Sequence, residues 1–226
     1  MLAIIQTPWW TKPEWWSAIG TVTAVAVALF GETAWVWIRR PRLNVSISVR
    51  QPDCVRTTLT NQSGQVSADC YFFRALVVNR GKRRAVDVEL YAEKLERQEG
   101  GKFTPVAQFP PMDFKWSHVG KPLQSISPGL KKHCDIGYVA QPIATDLRTA
   151  LDQIFNPTVQ FSFVLEVNAN QGGWQIEAGT YRLHVALAAA NAKVQRRVLE
   201  ITFAGQWMDD EIEMFSQGIQ VKITRP

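Results

Sequence analysis

Apolar residues run almost without interruption from Trp15 to Ile38. A helix rises about 1.5 Å per residue, so this stretch would extend about 36 Å, enough to cross a ~30 Å hydrocarbon core with some tilt. The pattern therefore predicts one transmembrane helix. A basic cluster follows the run and no small-residue cleavage site precedes that cluster, which favours an uncleaved span over a signal peptide. We expect Pro41 to end the helix, because the residue before a proline disfavours α geometry.

The pattern changes from Leu43 onward to alternation of apolar and polar residues with period two, which is typical of half-buried β-strands. Turn signals rich in Gly, Asn and Pro separate the alternating stretches. They predict an immunoglobulin-like antiparallel β-sandwich of about eight strands. Two short helices are also expected, at 144–155 and from near Asp209. The predicted strands are 43–50, 69–79, 85–96, 134–140, 158–168, 179–190, 192–203 and 219–224.

Both ends of the apolar run carry residues that favour the membrane–water interface. Six of the nine tryptophans fall within the first 37 positions, and Trp is enriched at bilayer interfaces. Lys and Arg are more frequent after the run than before it, which marks the cytoplasmic side. The predicted layout is an extracytoplasmic segment 1–14, a helix 15–38, a basic linker 39–42 and a cytoplasmic domain 43–226, in the bacterial inner membrane. The predicted interface residues are Trp15, Trp16, Trp35, Trp37, Arg39 and Arg40.

One face of the predicted helix carries small and hydroxyl-bearing residues, and it also carries a carboxylate. Small residues let helices approach closely in lipid, and hydroxyls add hydrogen bonds between helices, so this face favours self-association. A monomeric anchor with incidental small residues is the alternative. The residues of this face are Ser17, Thr21, Ala24, Ala28 and Glu32.

Glu32 is the one carboxylate within the apolar run, and three interpretations stay open for it. It snorkels toward the headgroups near Arg39 and Arg40, or it is protonated and hydrogen-bonded between helices, or it belongs to a ring of carboxylates that lines a cation pathway. The third interpretation requires an oligomer.

Composition limits the remaining function classes. The net charge of +5 is too small to argue for nucleic-acid binding by bulk charge. Three cysteines without CxxC spacing predict neither a disulfide framework nor a zinc site, and they fit a reducing compartment. We find no HExxH, GxSxG or P-loop motif. We therefore expect that the protein binds no cofactor or metal and is not an enzyme. An active site assembled from distant residues is the weaker alternative.

Three histidines are the other candidates for chemistry. His133 and Cys134 are neighbours, but adjacent strand residues point to opposite faces, so they form a poor base–nucleophile pair. His184 alternates with apolar residues in a predicted strand, which favours a structural role. His118 shows no motif.

The clearest polar cluster is "NRGKRRAV", which we expect to be a hairpin turn. Its cations favour a solvated edge that blocks sheet-to-sheet pairing. The alternatives are a pocket for a nucleotide or oligonucleotide, or contact with anionic lipid. We name this cluster the basic turn; it contains Arg80, Lys82, Arg83 and Arg84. Lys131, Lys132, Lys193, Arg196 and Arg197 are candidates to join it. For the acidic run 209–213, helix capping is favoured over metal binding.

Three segments carry a resemblance: "AIGTVTAVAVALFGE" (18–32), the exit 39–43, and "GQWMDDEIEM" (205–214). In these the chain resembles bacterial single-span membrane proteins that have a β-rich cytoplasmic domain and no established activity. The layout is also similar to membrane effectors of bacterial anti-phage systems, by analogy alone.

These observations favour a membrane protein that works by binding. In the specific form of this hypothesis, a homo-oligomeric effector or ion channel of an anti-phage system senses a nucleotide-type signal at the basic turn. The alternative is a passive membrane-tethered adaptor for a protein partner from the same operon.

Overall fold

The computed structural model describes residues 13–60, 66–119, 121–141, 159–167 and 172–224. The chain forms two compact units, Met1–Arg40 and Pro41–Pro226. The predicted helix at 144–155 lies outside the described residues.

Helix α1 spans Pro13–Arg39 and is the described element of the first unit. It starts two residues earlier and ends one residue later than predicted, so Arg39 belongs to the helix and not to a linker. Pro13 is compatible with the first turn, where a backbone N–H has no intrahelical acceptor, and Pro41 disfavours α geometry at Arg40. Its segment Trp15–Glu32 is long and apolar enough to cross a membrane, and none of it is buried.

The second unit is mainly β. Its described strands are β1 (Leu43–Ser46), β2 (Cys54–Thr60), β3 (Val66–Asn79), β4 (Ala85–Glu99), β5 (Lys102–Pro105), β6 (Met112–Asp113), β7 (Gln124–Ile126), β8 (Lys131–Ala140), β9 (Phe161–Phe163), β10 (Gln175–Ile176), β11 (Gly179–Ala189), β12 (Ala192–Phe203) and β13 (Ile219–Thr224). A short helix α2 (Glu211–Glu213) and a π-helical turn (Met214–Gly218) precede β13.

The strands form two antiparallel sheets. One has six strands in the order β1-β3-β8-β9-β10, with β2 beside β1 on the same edge of β3. The other has seven strands in the order β13-β12-β11-β4-β5, with β6 and β7 also paired to β4. β3 and β4 are consecutive in the chain, yet they lie in different sheets.

All eight predicted stretches contain a strand, and the prediction of an antiparallel, mainly-β domain is confirmed. The described residues hold thirteen strands rather than about eight. The additional strands are short, such as β6 and β10, or show no regular alternation, such as β2. Two predicted strands are too long: 43–50 contains β1 only up to Ser46, and the described part of 158–168, residues 159–167, contains only Phe161–Phe163.

The two sheets share one cluster of buried side chains, to which both contribute alternate residues. Aromatic rings dominate its centre, with Phe73 packed against Phe161 and Phe215. Gly137 permits the close approach of β8 and β9, because a Cβ atom there would lie 2.6 Å from the Ser162 carbonyl oxygen. The core therefore fixes the faces of the six-stranded sheet, with Arg74 and Asp135 on its partly exposed side.

Candidate functional site

The small-residue face of α1 is exposed in the single chain. Ser17, Thr21, Ala24, Ala28 and Glu32 are all exposed. The Thr21 hydroxyl donates a hydrogen bond to the Ser17 carbonyl oxygen at 3.0 Å, so its hydrogen is used within the helix and its oxygen stays available as an acceptor. This face can therefore pack against a second helix, although Thr21 would contribute an acceptor rather than a donor.

The assignment of residues to the membrane interface stays a prediction, but the surroundings of most of these residues can be described. Trp15, Trp16 and Trp35 are exposed, and the Arg39 guanidinium lies 3.7 Å from the centre of the Trp35 ring. At this distance the guanidinium is attracted to the face of the indole ring. The side chain of Trp37 lies outside the described residues, and Arg40 is half-buried.

The basic turn is a crossover between sheets and not a hairpin, which corrects the sequence prediction. β3 pairs with β1, β2 and β8, whereas β4 pairs with β5, β6, β7 and β11. A glycine-containing turn between two strands looks the same in sequence whether the strands pair or separate. Because the turn joins two sheets, blocking of a sheet edge no longer explains its charge.

Asn79 fixes the shape of this crossover from inside. It is fully buried, and its Nδ2 donates to the carbonyl oxygens of Arg83 (2.7 Å) and Ile126 (2.9 Å). Its Oδ1 accepts from the backbone N–H groups of Gly81 (2.9 Å) and Arg42 (3.2 Å). The amide therefore satisfies both donors and both acceptor positions, as a buried polar group requires.

The four cations of the basic turn are exposed, and none forms an ion pair among the described residues. Lys131 joins them, since it lies opposite Val78 in the register of β3 and β8. Three other candidates are engaged elsewhere. Lys132 donates to Gln124, and Arg196 pairs with Glu93 at 2.9 Å. Arg197 donates hydrogen bonds to Gln195 and to the Arg196 carbonyl oxygen. Lys193 lies two residues after Asn191, and the side chain of Asn191 donates to the Arg84 carbonyl oxygen.

Two histidines lie beside carboxylates, and these contacts give each histidine a structural role. His133 Nε2 lies 2.9 Å from Asp53 Oδ1, which joins β8 to the segment before β2. His184 Nε2 lies 2.8 Å from Glu96 Oε2 across β11 and β4. Cys134 is buried, and desolvation raises its pKa well above the usual thiol range, so it is not a thiolate nucleophile.

A polar pocket of about 240 Å³, which no sequence pattern predicted, lies on the partly exposed side of the six-stranded sheet. Arg74 and Asp135 lie opposite each other in the register of β3 and β8, and Ser117 and His118 come from the loop beside β8. Its residues are far apart in sequence, so no local motif marks it. One signal was accessible: Arg74 interrupts the otherwise apolar run from Cys70 to Val78 in β3.

The groups in this pocket are arranged for binding rather than for nucleophilic catalysis. The Ser117 hydroxyl donates to Asp135 Oδ1, so serine is paired with a carboxylate and not with a histidine. Burial raises the pKa of Asp135, and the Ser117 hydrogen bond opposes that rise. Arg74 donates to the Pro52 carbonyl, while its buried Nε has no hydrogen-bond partner among the described residues. The pocket thus contains both a cation and a carboxyl group.

A larger groove, of about 610 Å³, lies between the 49–51 segment and α2. Its walls include Val49, Phe215 and Ile212, of which Ile212 is 79% exposed. The acidic run beside it caps a helix, as expected: Asp210 Oδ1 accepts from the Glu213 N–H at 2.8 Å. Across the described segments, no three His, Cys, Asp or Glu side chains are grouped as a metal site would need.

No protein-family model, no curated protein and no solved structure matches this chain.

We expect Asn79→Ala to lower the free energy of unfolding of the β domain by about 2–4 kcal/mol, because four buried hydrogen bonds of roughly 1 kcal/mol each lose their partner. Urea unfolding of the detergent-solubilised chain, followed by tryptophan fluorescence, measures the loss. Asn191→Ala is the matched control: that exposed amide makes two backbone hydrogen bonds, which water can replace. Equal losses in the two variants would contradict the central role of Asn79.

We expect Asp135→Asn and Glu96→Gln to change the pH dependence of stability in opposite directions. The raised pKa of Asp135 means that its carboxyl group stabilises the fold below its unfolded pKa of about 4, and that this stability is lost as pH rises through the folded pKa. A hydrogen bond from Lys94 lowers the pKa of Glu96, so that group stabilises above its unfolded pKa and loses this contribution as pH falls.

Relative to the unmodified chain, the change in the free energy of unfolding caused by Asp135→Asn should therefore be more favourable at neutral pH than at about pH 4. The change caused by Glu96→Gln should be less favourable at neutral pH than at about pH 4. Urea unfolding at the two pH values gives both differences. If the difference between the two pH values had the same sign in both variants, burial would not disfavour the charged form of Asp135.

Proposed function

We propose that this protein is anchored in the bacterial inner membrane by α1 and works by binding, with its β domain in the cytoplasm. The observation that supports anchoring is the exposure of large apolar side chains around α1. A long helix whose surface is mostly apolar needs an apolar environment, and none of Trp15–Glu32 is buried. The exposed side chains include Ile19, Val22, Val25, Val27, Leu29 and Phe30.

The charge distribution supports the orientation. Arg39, Arg40 and Arg42 follow the apolar run, whereas Lys12 precedes it. An excess of Lys and Arg close to one end of a span favours retention of that end in the cytoplasm. Three buried, unpaired cysteines are compatible with that reducing compartment.

The β domain has the features of a binding module. Two antiparallel sheets around one core support a β-sandwich, and its immunoglobulin-like topology stays a prediction. The Arg74–Asp135 pocket supports recognition of a small polar ligand, since its volume is below the roughly 300–1,000 Å³ usual for larger ligands. The exposed basic turn supports binding of an anion, either a soluble phosphate or a lipid headgroup.

The more specific hypothesis is a homo-oligomeric effector or channel, similar in layout to anti-phage membrane proteins, in which the β domain senses a nucleotide-type signal. Its support is the exposed small-residue face of α1, with Glu32 toward its cytoplasmic end. A single helix cannot enclose a pore, so this hypothesis needs several copies around a ring of Glu32 side chains.

A membrane-tethered adaptor is the second candidate. The groove beside α2 favours it, because Ile212 is 79% exposed and lies next to the partly apolar wall formed by Val49 and Phe215. Exposed apolar surface bordered by polar residues is typical of sites for protein partners.

We expect the full chain to stay with membranes after alkaline carbonate extraction, because its helix is held by apolar burial and not by surface charge. A reporter that is active only in the cytoplasm should be active when fused after Thr224 and inactive when fused before Pro13. Release by carbonate would contradict anchoring, and the reverse reporter pattern would contradict the orientation.

We expect Ala24→Leu combined with Ala28→Leu to dissociate an oligomer, because bulky side chains prevent close approach on the small-residue face. Light scattering of the detergent-purified chain measures the mass. Ala26→Leu is the matched control, since Ala26 lies on the opposite face. A chain that is monomeric at every concentration tested would rule out the channel hypothesis and leave the adaptor.

A further inference from the structure

The basic turn belongs to a wider surface at one end of the β domain. The Arg80 N–H donates to the Arg42 carbonyl oxygen at 2.7 Å, which brings Arg42 beside the turn. The Asn79 N–H donates to the Leu130 carbonyl oxygen at 3.1 Å, which brings Leu130 and Lys131 to its other side. Arg42, Leu130 and Lys131 are all exposed. We name this surface the basic end; it consists of the basic turn with Arg42, Leu130 and Lys131.

The positive charge of the basic end is not neutralised within the described part of the domain. None of its six cations forms an ion pair there. Asp87 is the nearest carboxylate along the chain from Arg84, and it is exposed and outside any such pair. Six cations on one surface, most of them on a single crossover, therefore face water or an external anion.

The basic end is held in shape before any ligand arrives. Asn79 fixes the crossover through four hydrogen bonds, and Asn191 holds its far end through the Arg84 carbonyl (2.9 Å) and the Val86 N–H (3.1 Å). The backbone that carries the cations therefore needs little reordering on binding, which favours affinity.

Two apolar side chains distinguish this surface from an ordinary phosphate site. Leu130 is 56% exposed next to Lys131, and Val86 is 37% exposed two residues after Arg84. Apolar groups gain nothing from a soluble phosphate. At a bilayer surface they can leave water while neighbouring cations meet the headgroups, and this combination is typical of interfacial membrane binding.

The chain itself brings this surface to a membrane. Arg42 is part of the basic end, and it follows the last residue of α1, Arg39, by three positions. We propose that the basic end docks onto the anionic headgroups of the leaflet at which α1 ends. This proposal rests on the membrane anchoring proposed above. Docking would fix the orientation of the domain and turn the opposite end, with the groove beside α2, toward the cytoplasm.

The test uses the full chain in vesicles, with a polarity-sensitive fluorophore attached to Leu130→Cys. The native cysteines Cys54, Cys70 and Cys134 are buried, so the introduced thiol reacts selectively in the folded chain. We expect quenching by a lipid whose quencher lies near the headgroup, in vesicles that contain phosphatidylglycerol. Vesicles of phosphatidylcholine alone should give at most a small fraction of this quenching. The same label at Ile212→Cys, beside the groove, should be quenched in neither.

Removing the charge should undock the domain. Each cation near an anionic bilayer changes the docking equilibrium by roughly fivefold, so Arg80→Glu, Arg83→Glu and Arg84→Glu together should reduce quenching to the level of the Ile212 label. High salt should do the same, because it screens the attraction. The charge-matched control is Arg50→Glu with Lys102→Glu and Lys222→Glu, three exposed cations outside the basic end, and it should keep the quenching.

The outcomes separate lipid docking from its rivals. An unquenched label at position 130 in a chain that resists carbonate extraction would overturn docking and leave anchoring intact. Release by carbonate would instead overturn the anchoring. Binding of ATP or inorganic phosphate that the triple Glu variant abolishes, without any lipid quenching, would assign the basic end to a soluble phosphate. If the Glu variant fails to fold, as circular dichroism would show, Arg80→Gln with Arg83→Gln and Arg84→Gln replaces it and should lower the quenching.

Discussion

The buried amide of Asn79 is the contact on which the arrangement of the β domain depends. At this point the chain leaves one sheet and enters the other, and a crossover without secondary structure would strand backbone groups inside the protein. One side chain pairs with four of them, from the start of β1, the turn itself and the end of β7. The same amide that closes the core therefore displays a row of cations on its outer side.

The long strands of this fold could be predicted from the alternation of apolar and polar residues, but the pairing between strands could not. Strands such as β3, β11 and β12 are long enough for alternation to show, and all eight such stretches contain strands. Strands of two or three residues, such as β6 and β10, are too short to carry a period. The wrong hairpin at the basic turn has a different cause. Whether β3 pairs with β4 depends on β8 and β11, more than 50 and 80 residues further along the chain.

The candidate sites divide in the same way. The cations of the basic turn could be recognised as a cluster because the four lie within five positions, and the small-residue face of α1 follows from helical periodicity. The roles of both stay predictions. The pocket could not, because Arg74, Ser117 and Asp135 come from separate segments that meet only after β3 and β8 pair. The role of His133 also depends on tertiary structure, since Asp53 is 80 residues away in sequence.

The pairing of β4 with β11 has a consequence for how the protein is made. β4 ends at Glu99 and β11 begins at Gly179, so 79 residues of chain must be synthesised between them. At about 5–20 residues per second, the long edge of β4 waits roughly 4–16 seconds for its partner. By then α1, which is long and apolar enough to cross a membrane, has been synthesised in full. During those seconds β5, β6 and β7 can already pair with one edge of β4, while the edge that will meet β11 is open. An open strand edge is a template for pairing with other chains, so the nascent domain is most prone to aggregation in this interval.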